Sequence, residues 1–303
     1  MKVFVTGVNG QLGHDVLLEL QRRGHDAIGS GSGTSYTADD EGKLCPFEQM
    51  NITDKAAVAD KLNTVKPDAV IHCSAWTAVD AAEDEENKPK VYALNVTGSE
   101  NIACAAEKIS AKMVYISTDY VFNGKGTEPW EADCEDYAPL NYYGETKLLG
   151  EKAVRANCEK AFIVRTAWVF GKNGKNFIKT MINVGKTHDS VRVVNDQIGT
   201  PTYTKDLAIL LCDMIESEKY GIYHATNEGG YVSWYDFCVE FYRQYGLTTE
   251  VIPVTTEEYG LSKAARPENS RLDKSKLTQN GFAPLPVWQD AVKRFLEEAQ
   301  LQL

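Results

Sequence analysis

The chain has 303 residues, 43% apolar and 25% charged, a composition typical of globular proteins and not of disordered or fibrous ones. Acidic residues outnumber basic ones by 43 to 32, and the net charge of −11 argues against nucleic-acid partners and against an anionic membrane surface. No apolar run approaches the roughly 18 to 20 residues of a membrane span, and the glycine-rich start differs from a signal peptide, so we expect a cytoplasmic protein.

Short apolar runs alternate with segments of helical periodicity through the first half of the chain. This alternation predicts right-handed βαβ units and an α/β fold of the Rossmann type, with a doubly wound parallel sheet. The predicted strands lie at 3–5, 68–72, 113–116 and 162–165, and the predicted helices follow the first strand and lie at 87–108 and 143–156.

The regular alternation weakens after about residue 170. Helices are still predicted near 203–217, 233–245 and 286–300, with irregular segments between them. We therefore expect a dinucleotide-binding Rossmann domain at 1–170, to which a later segment at about 195–225 returns. Residues 171–303 are expected to form mainly a smaller, C-terminal substrate-binding lobe.

Three glycines, Gly7, Gly10 and Gly13, follow the first strand at the start of a helix. Residues without side chains at this junction permit a tight turn, and the helix N-terminus presents free N–H groups to a pyrophosphate. The spacing G-x-x-G-x-x-G departs from G-x-G-x-x-G, and a plain strand-to-helix turn is the alternative. In the first βα unit of an alternating chain, the pattern favours dinucleotide binding.

The second strand ends at Gly29-Ser30 without the acidic residue that binds the ribose hydroxyls of NAD. A small hydroxyl such as Ser30 tolerates a 2′-phosphate, so NADPH is the expected cofactor. No arginine follows to grip that phosphate, since Arg22 and Arg23 lie earlier on the helix. NADH is therefore left as a second cofactor.

Tyr143 and Lys147 are four residues apart on a predicted helix, which places both side chains on one face. We expect the ammonium group to lower the pKa of the phenol and to make it a better proton donor. Tyr142 is five residues from Lys147 and faces elsewhere. Thr118 follows a predicted strand about 25 residues earlier, at the edge of the sheet where ligands bind.

Longer blocks resemble the extended short-chain dehydrogenase/reductase superfamily and, within it, the dTDP-4-dehydrorhamnose reductase family. They extend over almost the whole chain, and their combination is far more specific than any single short motif. The blocks are TGVNGQLG at 6–13, SAWTAVDAAE at 74–83, STDYVFNG at 117–124, PLNYYGETKLLGE at 139–151, RTAWVFG at 165–171, NDQIGTPT at 195–202 and ARPENSRLD at 265–273.

The resemblance implies NADPH-dependent reduction of dTDP-4-dehydro-L-rhamnose to dTDP-L-rhamnose, with hydride added at C4. It implies that Tyr143 is the acid, that Lys147 assists it and also binds the nicotinamide ribose, and that Thr118 binds the substrate carbonyl. The implied cofactor contacts are the turn residues Gly7, Gly10, Gln11, Leu12 and Gly13, together with Ser30, Asn51, Ile52, Cys73, Ser74, Ala75, Tyr143 and Lys147.

Asn51 stands where the family usually has an aspartate, and its amide oxygen is expected to accept a hydrogen bond from the adenine amino group. Four further residues are candidate sugar-nucleotide contacts or, alternatively, structural residues. Trp168 offers a flat apolar face and Arg266 a fork for phosphate. The four residues are Asp119, which follows Thr118, and Trp168, Arg266 and Asn269.

Other interpretations stay open at this point. An epimerase or dehydratase on the same fold would hold NAD tightly, and a regulatory subunit resembling the β subunit of methionine adenosyltransferase would bind NADP without catalysis. Some family members are described as magnesium-dependent, but no compact carboxylate cluster is present, and the seven scattered cysteines suggest reduced thiols, not metal ligands. A homodimer is left open.

Overall fold

A computed structural model describes residues 1–36 and 45–299. Residues 300–303, which include the end of the helix predicted at 286–300, lie outside this range. The described strands are β1 Lys2–Thr6, β2 Asp26–Gly31, β3 Phe47–Gln49, β4 Ala69–His72, β5 Lys112–Thr118, β6 Ala161–Thr166, β7 Val169–Phe170, β8 Ser190–Val194, β9 Ile198–Gly199, β10 Thr202–Tyr203, β11 Gly221–His224, β12 Val232–Ser233 and β13 Glu250–Val254.

The helices predicted from periodicity are present, and four further helices, at 55–65, 177–185, 256–259 and 275–279, were not predicted. The helix expected at 87–108 contains one π-helical turn, Ala93–Thr97, between two α-helical segments. The α-helices are α1 Gln11–Arg22, α2 Lys55–Val65, α3 Lys88–Tyr92, α4 Gly98–Lys108, α5 Tyr142–Asn157, α6 Phe177–Gly185, α7 Thr204–Ile215, α8 Trp234–Tyr245, α9 Thr256–Tyr259, α10 Ser275–Gln279 and α11 Trp288–Glu298.

The main sheet has seven strands among the described residues, in the order β11-β6-β5-β4-β1-β2-β3. Every neighbouring pair in it is parallel. Strands β1 to β6 thus have the 3-2-1-4-5-6 order of a doubly wound dinucleotide-binding sheet, and the predicted Rossmann-type fold is confirmed. Strand order reverses beside β1, so the crevice for a ligand lies at the carboxyl ends of β1, β4 and β5.

Both faces of the sheet are covered by helices, as a parallel sheet requires. Helices α1 and α7 pack on one face, where Val16 and Leu207 belong to a single buried apolar cluster with Val5. Helices α2, α4 and α5 cover the other, where Ile102 and Val154 are fully buried. This packing fixes the strand ends that carry the candidate site.

A smaller lobe is built from β8, β13, α6, α8 and α11 around buried aromatic side chains such as Phe237 and Phe295. Between its segments, α7 packs against α1, and β11 pairs with β6 at the edge of the main sheet. We propose that this return, residues 204–224, belongs to the Rossmann part and that the substrate lobe is formed mainly by the other described residues of 171–299.

Candidate active site

The glycine turn after β1 is packed so closely that side chains do not fit. Gly7 has φ +71°, and a Cβ placed on it would lie 2.8 Å from the Ser74 nitrogen. A Cβ on Gly13 would overlap the carbonyl oxygen of Gly7. The turn therefore brings bare backbone to the edge of a cavity of about 460 Å³.

Helix α1 starts at this turn with unpaired N–H groups. Its N-cap, Gly10, supplies no side-chain cap, and the first intrahelical bond is donated by the nitrogen of His14 to the oxygen of Gly10, at 3.3 Å. The three residues before His14, which are Gln11, Leu12 and Gly13, line the cavity. The positive end of the helix dipole therefore faces it. This cradle of glycines and free N–H groups fits the pyrophosphate of a dinucleotide.

Ser30 supports the turn from below and does not meet the cavity. Its carbonyl oxygen accepts hydrogen bonds from the nitrogens of Gly7 and Val8, at 2.8 and 3.3 Å. Its hydroxyl is buried without a hydrogen-bond partner, because β2 continues one residue further to Gly31. The expectation that this hydroxyl faces a 2′-phosphate is wrong for this structure, and the exposed hydroxyl nearest the strand tip belongs to Ser32.

Asn51 and Ile52 are also engaged otherwise than expected. The amide oxygen of Asn51 accepts bonds from the nitrogen and the hydroxyl of Thr53, at 3.1 and 2.9 Å. Both of its acceptor positions are thus used, which argues against the expected contact with an adenine amino group. Ile52 is buried, and its carbonyl oxygen accepts a bond from the Asn101 amide at 3.0 Å.

The segment after β4 forms the next wall of the cavity. Cys73 and Ala75 line it, and the nitrogen of Ser74 donates to the Thr6 hydroxyl at 3.2 Å. That hydroxyl is 2.8 Å from Nδ1 of His72. Burial lowers the pKa of His72 to about 3. A neutral, buried imidazole therefore ties β1 to β4 under the turn, and the small residues leave room for a ligand.

Tyr143 lies in the first turn of α5 and lines the cavity. The Asn141 side chain caps α5 by accepting a bond from the nitrogen of Gly144 at 2.8 Å. A Cβ on Gly144 would overlap the carbonyl oxygen of Tyr120, so glycine allows the helix to approach the strand-end loop. The rings of Tyr120 and Tyr143 meet edge to face, with centroids 5.7 Å apart.

Lys147 lies one turn further along α5 and is 3% exposed. Its Nζ donates to the carbonyl oxygen of Ile116 at 2.7 Å and lies 4.2 Å from the centroid of the Tyr115 ring. Burial lowers the pKa of Lys147 to about 7, while Glu151 and Cys73 oppose this shift. Lys147 therefore lines the cavity with a pKa close to neutral pH.

The expectation that Lys147 lowers the pKa of Tyr143 is wrong in this structure. Burial raises the pKa of Tyr143 well above its ordinary value and the carboxyl of Asp119 adds to the rise, while the Thr118 hydroxyl opposes it. The Lys147 ammonium is instead bonded to the Ile116 carbonyl and lies over the Tyr115 ring. The phenol stays protonated at neutral pH, which is the form that a proton donor needs.

Thr118 ends β5 beside this phenol and is buried, as is its neighbour Asp119. The Thr118 hydroxyl donates to Oδ1 of Asp119 at 2.9 Å and accepts a weaker bond from the nitrogen of Tyr120 at 3.3 Å. Burial raises the pKa of Asp119 to about 6, while the hydroxyls of Ser270 and Thr118 oppose the shift. Both side chains line the cavity with Tyr143 and Lys147.

Of the other three candidate substrate residues, Trp168 and Arg266 face cavities and Asn269 does not. Trp168, at φ +51°, lines the main cavity and stacks on Trp234, with ring centroids 3.8 Å apart. The amide of Asn269 donates to the carbonyl oxygens of Lys125 and Glu128 at 3.2 and 2.9 Å, and its oxygen accepts from Arg271. Asn269 therefore fixes a loop.

Arg266 lines a second cavity of about 330 Å³, which adjoins the main one through Tyr120 and Trp234. Its guanidinium forms an ion pair with Asp80 at 2.6 Å and donates to the Tyr120 hydroxyl at 3.3 Å. The wall of this second cavity also contains Arg192. Two guanidinium groups thus face a space that opens toward the catalytic residues.

Several residues of these walls were not singled out by sequence analysis. Tyr120, Asp80 and His72 lie within or beside the resembling blocks, so their position in those blocks was an available signal. Arg192 lies in β8, a strand that was not predicted, and Lys175 lies in the loop between β7 and α6, so no local pattern distinguished either from solvated surface residues. No group of metal-binding side chains occurs within 1–36 and 45–299, and all seven cysteines there are free.

A parallel sheet with a bare glycine turn after β1 and a Thr118–Tyr143–Lys147 constellation at the carboxyl end of β5 defines the class. The protein is a Rossmann-fold oxidoreductase of the short-chain dehydrogenase/reductase type.

Residues 1–301 match the RmlD substrate binding domain family, and the chain belongs to that family. It is 39% identical to the spore coat polysaccharide biosynthesis protein SpsK of Bacillus subtilis, over 98% of this chain and 97% of that protein. It is 37% identical to the dTDP-4-dehydrorhamnose reductase of Shigella flexneri, over 98% of both chains. The crystal structure of a Bacillus anthracis dTDP-4-dehydrorhamnose reductase with NADP matches with a TM-score of 0.88 at 39% identity, covering 98% of this chain and 100% of the other.

Proposed function

We propose that the protein reduces dTDP-4-dehydro-L-rhamnose to dTDP-L-rhamnose with NADPH. The observation that carries this proposal is that Thr118 and Tyr143 line the same cavity as the glycine turn. A dinucleotide whose pyrophosphate is held by the turn and a carbonyl held by Thr118 would thus share one cavity. The family, and the NADP complex of a similar reductase, support both the cofactor and the substrate.

The cofactor supplies a hydride to C4 of the sugar when it is bound. Negative charge then develops on the carbonyl oxygen, and the Thr118 hydroxyl stabilises it by turning its one hydrogen bond from Asp119 to this oxygen. Tyr143 delivers its proton to this oxygen, because an alkoxide is far more basic than a phenolate, even one whose pKa is raised by burial. Lys147, on the same face of α5, binds the nicotinamide ribose and so positions the nicotinamide for hydride transfer.

The nucleotide part of the substrate lies in the second cavity. Arg266 and Arg192 face it and suit a diphosphate, since guanidinium groups bind phosphate oxygens in pairs. Phe177 and Trp234 add flat apolar surface for the base. Trp168 and Asp119, at the junction with the main cavity, contact the sugar.

Turnover by the purified chain tests the proposal. Adding dTDP-4-dehydro-L-rhamnose to the protein and NADPH should oxidise the NADPH in equal amount and yield dTDP-L-rhamnose, measured by absorbance at 340 nm and by chromatography of the product. Binding of NADPH without reduction of this sugar nucleotide would favour the regulatory interpretation. Conversion of a sugar nucleotide without net oxidation of NADPH would favour the epimerase interpretation.

The proposal is of a cytoplasmic enzyme with a small-molecule substrate. Seven free cysteines agree with a reducing compartment. None of the described helices has the length and apolar character needed to cross a bilayer. A homodimer remains an expectation that measurement of the mass in solution would test.

A further inference from the structure

A loop of the substrate lobe reaches across to the glycine turn. It joins β7 to α6 and comprises residues 172–176, which we term the turn-covering loop. Within it, the amide of Asn173 donates to the carbonyl oxygens of Asn9 and Gly10, at 3.0 and 3.3 Å. The amide of Asn176 donates to Oε1 of Gln11 at 3.0 Å. Two side chains of the loop are therefore bonded directly to the turn.

The loop is itself fixed by hydrogen bonds at both of its ends. Asn176 caps α6 by accepting from the nitrogen of Lys179 at 3.0 Å, and its amide also donates to the oxygen of Gly171 at 2.8 Å. The Lys179 ammonium donates to the carbonyl oxygens of Lys172 and Gly174. Gly174 adopts φ +76°, which turns the chain tightly above Gln11. The backbone of Lys175, between these anchors, is held beside the glycine turn.

Lys175 supplies a positive charge where the cavity otherwise has little. Among the described residues that line the main cavity, Lys147 and Lys175 are the only lysines or arginines. Lys147 is bonded to the Ile116 carbonyl at the Tyr143 end, and the buried His72 is neutral. Lys175 is exposed and forms no hydrogen bond or ion pair with other described residues. Among the described residues that line the main cavity, it is therefore the cation without a hydrogen-bond or ion-pair partner.

We propose that the turn-covering loop is a second wall of the dinucleotide site and that Lys175 binds the pyrophosphate of the cofactor. This inference rests on the proposed function, because it assigns the ligand of the same cavity. A pyrophosphate carries about two negative charges into a protein whose net charge is −11. The helix N-terminus of α1 offers only about half a positive charge, so a full charge on a flexible side chain adds the missing counterion.

The binding of NADPH and of NADH to the full-length chain, measured separately by titration calorimetry, tests the assignment. Lys175→Met should raise the Kd for both dinucleotides by the same factor, about 10- to 100-fold, the range for loss of one hydrogen bond to a charged group. Lys175→Arg should retain most of the affinity, and Lys293→Met, at an exposed lysine of α11, should leave both constants unchanged. Asn173→Ala should raise the Kd for both dinucleotides by a smaller factor.

Two results would overturn the assignment. An unchanged Kd for both dinucleotides in Lys175→Met would show that the lysine does not touch the cofactor. A loss confined to NADPH would show that it binds the 2′-phosphate and not the pyrophosphate. The titrations contain no sugar nucleotide and therefore do not depend on the reaction. If Lys175→Met weakens dinucleotide binding but the wild-type chain reduces no 4-keto sugar nucleotide, the proposed function alone is overturned.

Discussion

The catalytic end of the main cavity and the second cavity are built in different ways. Thr118, Tyr143 and Lys147 come from one strand and the helix that follows it, and packing against the sheet buries them. The second cavity collects Asp80, Arg192 and Arg266 from separate segments of the chain. The difference teaches that neighbouring elements of one βα unit are enough to assemble the first site, whereas the second cavity depends on contacts between distant segments of both parts of the chain.

The largest effect is expected for the proton donor at the catalytic end. Tyr143→Phe removes only the phenolic oxygen, so turnover should fall by about two to four orders of magnitude, the range for loss of general acid catalysis. The fold and the NADPH Kd should survive, because the change keeps the aromatic ring and its edge-to-face contact with Tyr120. Steady-state kinetics with a parallel NADPH titration measure this, with Tyr142→Phe as the matched control. Near-normal turnover would identify another residue as the acid.

Lys147 should affect both turnover and the cofactor, since its ammonium serves both. Lys147→Met should lower kcat by about 100-fold and raise the Kd for NADPH. In the wild type, the pH dependence of kcat/KM for NADPH reports the pKa values of groups in the free enzyme. Because burial lowers the pKa of Lys147 to about 7 and the charged form is the active one, this ratio should fall as pH rises through that value. A flat profile between pH 6 and 9 would contradict the role.

Thr118 should show an intermediate effect, because it donates one hydrogen bond to the developing oxyanion. Thr118→Val keeps the shape of the side chain and should lower kcat by about 10- to 1,000-fold. The same change removes the bond to Asp119, so the thermal midpoint is measured alongside the kinetics. Thr118→Ser, which keeps the hydroxyl, is the matched control. If Thr118→Val turns over normally, the residue only caps the strand-end turn.

A change in the second cavity should alter affinity more than rate. Arg266→Met removes a guanidinium expected on the diphosphate, so KM for the sugar nucleotide should rise about 10- to 100-fold while kcat changes much less. Asp80→Asn breaks the same ion pair and leaves the guanidinium in place, which separates loss of the pair from loss of phosphate binding. A fall in kcat at unchanged KM would show that the second cavity affects the rate and not the affinity for the sugar nucleotide, as the catalytic end does.

The smallest effect concerns the choice between the two cofactors. No carboxylate stands at Gly29, Ser30 or Gly31, so NADPH should be used at least as well as NADH. The ratio of the two kcat/KM values measures this preference. Ser32→Asp, at the exposed strand tip, should shift the ratio toward NADH. A strong preference of the wild type for NADH would mean that an acidic residue from elsewhere reaches the ribose.

Local sequence was sufficient where function depends on residues close together in the chain. The alternation of strands and helices, the glycines after β1, and the spacing of Tyr143 and Lys147 are short-range patterns, and the backbone geometry of one βα unit turns each of them into a position. Thr118 could be placed for the same reason, since the end of a parallel strand defines one edge of the sheet.

Tertiary structure alone decided what depends on burial and on contacts between distant segments. The Ser30 hydroxyl is hidden because β2 runs one residue longer than expected, and the Asn269 amide is used by loop carbonyls. Asp119 and burial raise the pKa of Tyr143, although the neighbouring lysine suggested the opposite. The pairing of Arg266 with Asp80, 186 residues away, has no local signal. Desolvation and long-range electrostatics are set by the packed chain, because spacing along the sequence specifies neither the dielectric environment nor the partners of a side chain.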